Sequence, residues 1–131
     1  MINYFSKYKS IFYLSNFILI ILYLFPGSLI GCFLFKDCKL QPQITANFII
    51  STNHLYAFLF LSVLGFFTYK KANNLDLLTI YLILLSIVLE LMHYFIPVRS
   101  FELSDLFGNL TGVIIVIIIN YFIKKYEKFK S

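Results

Sequence analysis

Six polar residues of the types that bind ligands or move protons interrupt an otherwise apolar sequence: His54, Glu90, His93, Arg99, Asp105 and Asn109. Glu90 and His93 are the candidates for a catalytic base, because a carboxylate or an imidazole can accept and release protons. Arg99 is the candidate for holding an anion, since a guanidinium makes paired hydrogen bonds with a phosphate or a carboxylate. Together the six residues predict a polar binding pocket.

The spacing of Glu90 and His93 is also that of the Glu-x-x-His motif of di-iron helical bundles. A di-iron centre needs further carboxylate and histidine ligands from other helices, and a single copy of the motif does not supply them. The sequence contains no GxSxG, no HExxH and no Gly-rich phosphate loop. We therefore predict no metal and no cofactor.

The composition indicates which solvent surrounds these polar residues. Of the 131 residues, 60% are hydrophobic and 13% are charged, whereas soluble domains are about 45–50% apolar and about 25% charged. This excludes a soluble enzyme, a small disulfide scaffold and a nucleic-acid-binding protein. The apolar runs are continuous rather than alternating, which favours membrane-spanning helices over a barrel.

Four apolar stretches predict an all-α, polytopic membrane protein that forms a bundle of four transmembrane helices. We expect the spans at about residues 11–30, 50–69, 75–96 and 106–123, because crossing the hydrocarbon core takes about 20 residues. Pro26-Gly27 is expected to end or kink the first helix. The short linkers between the spans indicate a single domain over residues 1–131.

The basic residues predict the orientation of the spans. Eight of the eleven fall on one side of the predicted membrane: Lys7, Lys9, Lys70, Lys71, Lys124, Lys125, Lys128 and Lys130. The other three, Lys36, Lys39 and Arg99, fall on the opposite side. Because lysine and arginine collect in cytoplasmic loops, both termini are expected in the cytoplasm. Loops 26–48 and 97–105 then face outward.

Helical spacing gathers the polar residues of the third span on one stripe. At about 100° per residue, Thr79, Ser86, Glu90 and His93 lie within about 60° of one another. Glu90 is expected about six residues before the end of the span, where an unpaired carboxylate is unfavourable. The stripe must face protein or water, either as part of a pocket or as a structural hydrogen bond between helices.

The fourth span carries a second polar face, with Asp105, Gly108, Asn109 and Gly112 on it. Gly108 and Gly112 form a small-xxx-small pair, which allows another helix to pack closely. Asp105 is explained as a residue at the helix N-terminus. Asn109, one turn deeper, is not explained in this way.

His54, at the start of the second span, is expected at the same outward depth as Glu90, His93, Asp105 and Asn109. Arg99 is expected to reach Glu90, Asp105 or an anionic lipid head group.

Cys32 and Cys38 both fall on the outward side and could form a disulfide in an oxidising compartment. The alternative is two unpaired thiols. A further alternative comes from Leu29-Ile30-Gly31-Cys32, which follows a basic and then an apolar segment, as in a lipoprotein signal. Cleavage there would leave a lipidated Cys32 and three spans.

Residues 90–112 resemble the signature of the VanZ-like proteins, small bacterial membrane proteins named after a teicoplanin-resistance factor, through the sequence ELMHYFIPVRSFELSDLFGNLTG. The family pattern has Glu, then Phe-x-Pro-x-Arg-Ser, then Asp, Asn and Gly at these spacings. The segment Phe25-Pro26-Gly27-Ser28 is similar as well, and the resemblance extends over about residues 11–122. Two features depart from the pattern: His93 replaces a usual Gln, and the Asp-Lys pair before the histidine of the second span is absent.

The resemblance implies a multi-pass protein of the bacterial inner (plasma) membrane with a role in the cell envelope and in tolerance to teicoplanin. Its partners would be membrane lipids and a lipid-linked cell-wall precursor or an anionic head group. Two alternatives stay open: a membrane-embedded enzyme acting on a lipid-linked envelope substrate, and a small structural or assembly subunit. A large outward cavity would favour binding or catalysis, and a dry, fully paired polar core would favour the assembly subunit.

Overall fold

The computed structural model describes the backbone of residues 2–69 and 75–130, and the side chains of residues 8–69 and 75–130. Three quarters of the chain is helical and the described residues contain no strand, which confirms the all-α prediction. The helices are α1 (Ile2–Leu24), α2 (Leu29–Phe35), α3 (Thr52–Tyr69), α4 (Leu75–Met92) and α5 (Leu103–Lys130). Lys70, Lys71 and the side chain of Lys7, which contribute to the predicted orientation, lie outside the described residues.

Two helices, α4 and α5, are long and apolar enough to cross a membrane, and a third span results if α1 and α2 are counted as one bent span. Helix α3 falls outside this group, since polar residues fill its first turn: Thr52, Asn53 and His54. The outer faces of α1, α4 and α5 expose large apolar side chains, among them Phe17, Leu77, Leu84, Ile114 and Ile118. Soluble monomers rarely expose apolar surface on this scale, so the composition and the structure agree on a membrane protein.

The first predicted span is broken at Pro26-Gly27. Helix α1 ends at Leu24 and α2 leaves at an angle of 82°. A residue before proline disfavours the helical conformation, and Gly27 has φ +94, a left-handed conformation that suits glycine. Ser28 then caps α2, as its side-chain oxygen accepts a hydrogen bond of 2.9 Å from the backbone N–H of Gly31.

Helix α3 lies at the centre of the bundle and contacts α1, α4 and α5. Its N-terminus lies beside that of α5, where the Ser51 N–H donates to the Ser104 carbonyl over 3.1 Å. A Cβ added to Gly108 would lie 2.5 Å from the Ser51 carbonyl oxygen, and one added to Gly112 would lie 2.7 Å from the Leu55 carbonyl oxygen. The two glycines therefore bring the backbones of α3 and α5 together, with both helices running in the same direction.

The end of α4 differs from the sequence prediction. The helix stops at Met92 rather than near residue 96. Turns follow whose hydrogen bonds join residues three positions apart, such as the bond of 3.1 Å from the His93 N–H to the Glu90 carbonyl. The fixed φ of Pro97 and its restriction on the preceding residue end the helix before Ile96. Glu90 consequently lies near the end of α4, and not about six residues inside the span.

Replacing Gly112 with alanine should destabilise the bundle, because the new methyl group would meet backbone atoms of α3 that cannot rotate away. We expect a loss of about 1–3 kcal/mol in the free energy of unfolding, the usual range for overpacking. The matched control is Gly65→Ala, whose methyl group would meet only the side chains of Phe12 and Leu78. Denaturant unfolding in mixed micelles measures both variants. Equal stabilities would contradict the close α3–α5 packing.

Candidate functional site

The predicted polar residues meet at one end of the bundle, where α3 and α5 begin and α1 and α4 end. His54 lies in the first turn of α3 and Asp105 in the first turn of α5. Glu90 is in the last turn of α4, and residues 93–102 fold back over this end of the bundle. The side chains of the site therefore come from the C-terminal ends of α1 and α4 and from the N-terminal ends of α3 and α5.

The carboxylate of Glu90 is fully buried. Its Oε1 accepts a hydrogen bond of 3.2 Å from the backbone N–H of Glu102, and the same oxygen lies 3.2 Å from His93 Nδ1. Its Oε2 has no hydrogen-bond partner among the described residues. His54 Nε2 lies 4.0 Å from this Oε2 atom. One oxygen of Glu90 is thus held and the other is available.

His54 is positioned between two carboxylates. Its Nδ1 lies 2.9 Å from Ser51 Oγ and 3.5 Å from Asp105 Oδ1. Each ring nitrogen of His54 thus faces a carboxylate oxygen, which can only accept. The tautomer with the proton on Nδ1 leaves a lone pair at Nε2 towards Glu90, whereas the other tautomer turns an N–H towards Glu90.

His93 lies on the other side of Glu90 and is also buried. Its Nε2 lies 3.0 Å from the Tyr23 carbonyl oxygen, which can only accept. Both ring nitrogens of His93 thus face oxygen atoms, those of the Glu90 carboxylate and of the Tyr23 carbonyl. His93 therefore holds the end of α4 against the end of α1.

Below these groups lies a buried hydrogen-bonded chain. The Tyr23 hydroxyl donates to Asn109 Oδ1 over 2.6 Å, and Asn109 Nδ2 donates to the Ser86 carbonyl oxygen over 3.1 Å. The Tyr23 ring also stacks on His93 and contacts His54 edge-on. This chain links α1, α5 and α4, and it explains the presence of Asn109 so deep in the bundle.

Arg99 has different partners from those that the sequence predicted. Its Nε donates to the Phe25 carbonyl over 3.0 Å, and its Nη2 donates to the carbonyls of Leu22 and Gly27 over 2.9 and 2.6 Å. Among the described residues, the ion pairs do not include Arg99. Its main contacts are therefore with the unsatisfied carbonyls at the C-terminus of α1, which a cation stabilises.

A cavity of about 720 Å³ opens above the buried cluster. Its lining is mixed. The polar lining residues include Tyr23, Ser51, His54, His93, Arg99 and Asp105, and the apolar ones include Leu19, Leu22, Leu29, Ile30, Leu34 and Val98. Glu90 and Asn109 are not among the lining residues. The cavity thus offers both polar and apolar groups to the same ligand.

The segment after α1 forms part of the cavity wall, and Cys32 and Cys38 are joined there by a disulfide. The backbone N–H of Ser28 donates to the Cys38 carbonyl over 2.7 Å, which closes the same loop. Lipidation of Cys32 would need the sulfur that this disulfide uses. The structure therefore has the disulfide and not the two unpaired thiols.

Three of the site residues could hold a metal ion. His54, Glu90 and Asp105 each offer one ligand atom, and these atoms lie within 4.8 Å of one another. The sequence motif that first suggested a metal paired Glu90 with His93, which is not in this group. The set instead combines residues from three helices.

The six predicted residues lie in one neighbourhood, but sequence reasoning missed the residue that connects them. Tyr23 contacts His54, His93 and Asn109, although nothing in the apolar run around it distinguishes it. The one available signal was its position close to the helix-breaking Pro26, where a hydroxyl can reach polar groups at the end of the bundle.

Comparison with known proteins assigns no family to the chain, as no family model, no curated protein and no solved structure matches it. The resemblance of residues 90–112 to the VanZ-like signature therefore stays a prediction from the sequence.

Substitution of Arg99 tests its contact with the end of α1. Arg99→Gln should lower the free energy of unfolding by at least about 1.5–3 kcal/mol, the contribution of one hydrogen bond to a charged group. Lys39→Gln removes a positive charge from the same cavity and should change stability by less than about 0.5 kcal/mol, as surface substitutions do. Chemical unfolding in micelles distinguishes the two variants. A loss of similar size for both would show that Arg99 acts only through its charge.

Proposed function

We propose that this chain is a VanZ-like integral membrane protein of the bacterial cell envelope, whose cavity binds the polar head of an envelope lipid. In this proposal α1 with α2, then α3, α4 and α5, form four spans of the inner membrane. Both termini are cytoplasmic and the cavity opens on the outer face. The ligand is a lipid-linked cell-wall precursor or another lipid with an anionic head group.

The observation that carries the proposal is the mixed polar and apolar lining of the cavity. A lipid-linked ligand has a polar head and an apolar chain, and both kinds of surface are present within about 720 Å³. Binding pockets for small molecules are typically about 300–1,000 Å³, so the volume suits a head group. Arg99 and Lys39 both line the cavity and supply positive charge for an anionic head.

The orientation of the proposal rests on the basic residues. Lys39 and Arg99, at the cavity, belong to the minority of three, while Lys124, Lys125, Lys128 and Lys130 lie at the end of α5 opposite to the cavity. Lysine and arginine are enriched on the cytoplasmic side, so the cavity end is assigned to the outside.

The two alternatives make different demands on the site. An assembly subunit, whose polar residues only join helices, would need no cavity above them, and the cavity therefore speaks against it. An enzyme would use Glu90 or His93 as a base, but both side chains are buried, and both ring nitrogens of His93 already face hydrogen-bond partners. Binding is the function that the geometry supports best.

The topology can be tested with reporters that are active on only one side of the membrane. Fusions to Ser131 and after Ser100 should give opposite activities, because α5 separates the two positions. A fusion after Phe35 should behave like the one after Ser100. The same activity at Ser131 and after Ser100 would contradict the proposed orientation.

The binding role can be tested by filling the cavity. Expression of the protein in a sensitive Gram-positive host should raise tolerance to teicoplanin more than to vancomycin, because the lipophilic tail of teicoplanin places it at the membrane. Ala57 lines the cavity, and Ala57→Phe should abolish the gain in tolerance. Ala46→Phe is the matched control at an exposed position outside the cavity and should keep it.

The amount of each variant in the membrane must be equal for this comparison. Tolerance that survives in Ala57→Phe would show that the cavity takes no part. No tolerance from a well-inserted wild type would remove the role in drug tolerance altogether.

A further inference from the structure

One oxygen atom in the buried polar cluster has no hydrogen-bond partner, and the proposed binding of a lipid head does not account for it. Glu90 Oε2 is buried and has no hydrogen-bond partner among the described residues. Buried polar groups are almost always paired, and an unpaired charged oxygen is especially unfavourable. Something outside the described hydrogen bonds must therefore satisfy this oxygen.

The group that faces Oε2 does not satisfy it. His54 Nε2 lies 4.0 Å away, too far for a hydrogen bond. In the tautomer with the proton on Nδ1, which can donate to Ser51 Oγ, His54 presents a lone pair at Nε2 to a carboxylate oxygen. In that tautomer two electron-rich atoms face each other across the gap, and a cation between them would satisfy both.

We propose that His54, Glu90 and Asp105 bind a divalent transition-metal ion, with Zn²⁺ as the best fit. One imidazole and two carboxylates are a mixed set, and zinc accepts both nitrogen and oxygen ligands. Mg²⁺ and Ca²⁺ prefer oxygen ligands alone and fit less well. The proposal goes beyond the binding of a lipid head and does not depend on it.

The spacing of the ligand atoms is close to that of a bound ion. The three atoms lie within 4.8 Å of one another. At zinc–ligand distances of about 2.0–2.1 Å, tetrahedral geometry places ligand atoms about 3.3–3.4 Å apart. Binding therefore has to draw the three side chains, which come from three helices, closer together.

Neighbouring groups orient the proposed ligands by hydrogen bonds, as the groups around the ligands of a metal site usually do. Ser51 Oγ lies 2.9 Å from His54 Nδ1 and orients the ring so that Nε2 points towards Glu90. The Glu102 N–H and His93 hold Glu90 Oε1, which leaves Oε2 to bind. His93 thus acts as an outer partner and not as a ligand.

Three protein ligands leave the fourth position of a tetrahedral ion open. His54 and Asp105 line the cavity, so this position faces it. A water molecule or an anionic oxygen of a ligand in the cavity can occupy it, as at zinc sites with three protein ligands.

Zinc binding by the full-length protein in lipid nanodiscs provides the test. After treatment with a chelator and dialysis, metal content and titration calorimetry with Zn²⁺ should give one ion per chain. Glu90→Gln and Asp105→Asn should each weaken binding by at least tenfold, since even the loss of an outer partner weakens metal sites by about 10–100-fold. Glu127→Gln is the matched control, because its exposed side chain lies near the C-terminus of α5, at the opposite end of that helix from Asp105. It should change the affinity by less than about twofold.

Size-exclusion chromatography and helical circular dichroism establish that each variant is folded. If Glu90→Gln does not fold, Asp105→Asn decides, as Asp105 is partly exposed. Failure of the wild type to bind Zn²⁺, or equal affinities in wild type and both ligand variants, would overturn the metal site. Teicoplanin tolerance that responds to Ala57→Phe would survive such a result, so the two proposals fail separately.

Discussion

The carboxylate of Glu90, buried at the end of α4, is the constraint on which the arrangement of this end of the bundle depends. An ionised carboxylate away from water is tolerated only when other groups pair with it and donate hydrogen bonds to it. The chain meets this demand at Oε1, which contacts His93 after the end of α4 and the Glu102 N–H before α5. At Oε2 it brings His54, at the start of α3, to 4.0 Å without a hydrogen bond. The turn after α4, the return of residues 93–102 and the start of α3 are therefore arranged around one carboxylate.

The close packing of α3 against α5 makes those contacts possible. Gly108 and Gly112 lie directly against the backbone of α3, so His54 and Asp105 start their helices side by side. Arg99 fastens the remaining element, because it binds the carbonyls at the end of α1 and so holds Tyr23 over the cluster. The break at Pro26-Gly27 then turns α2 away from α1 and leaves room for the cavity. A polar interior and an apolar outer surface thus result from the same few contacts.

The sequence predicted the helical class and the six polar residues of the site, since helical periodicity and the exclusion of charge from apolar segments are local properties. It also predicted the break at Pro26.

It did not predict the end of α4, because hydropathy continues smoothly through Tyr94 and Phe95 while the backbone turns. The partners of Arg99 are backbone carbonyls more than 70 residues away in the chain. Because every residue has a backbone carbonyl, the residue types do not indicate which carbonyls Arg99 contacts. Tyr23 was missed for a related reason, because its role depends on the hydrogen bond from its hydroxyl to Asn109 on α5, which the sequence does not show. The metal ligands likewise come from three helices, so no spacing within one helix indicates them.

The central claim is that the gap between Glu90 and His54 opens to the outer cavity and holds a group that the protein itself does not provide. A crystal structure of the protein grown in a lipid mesophase tests this most directly. The account predicts density that belongs to no protein atom within bonding distance of Glu90 Oε2 and His54 Nε2, with an unobstructed path into the cavity. A dry site in which His54 Nε2 and Glu90 Oε2 are hydrogen-bonded to each other, beneath a cavity closed by side chains, would contradict it.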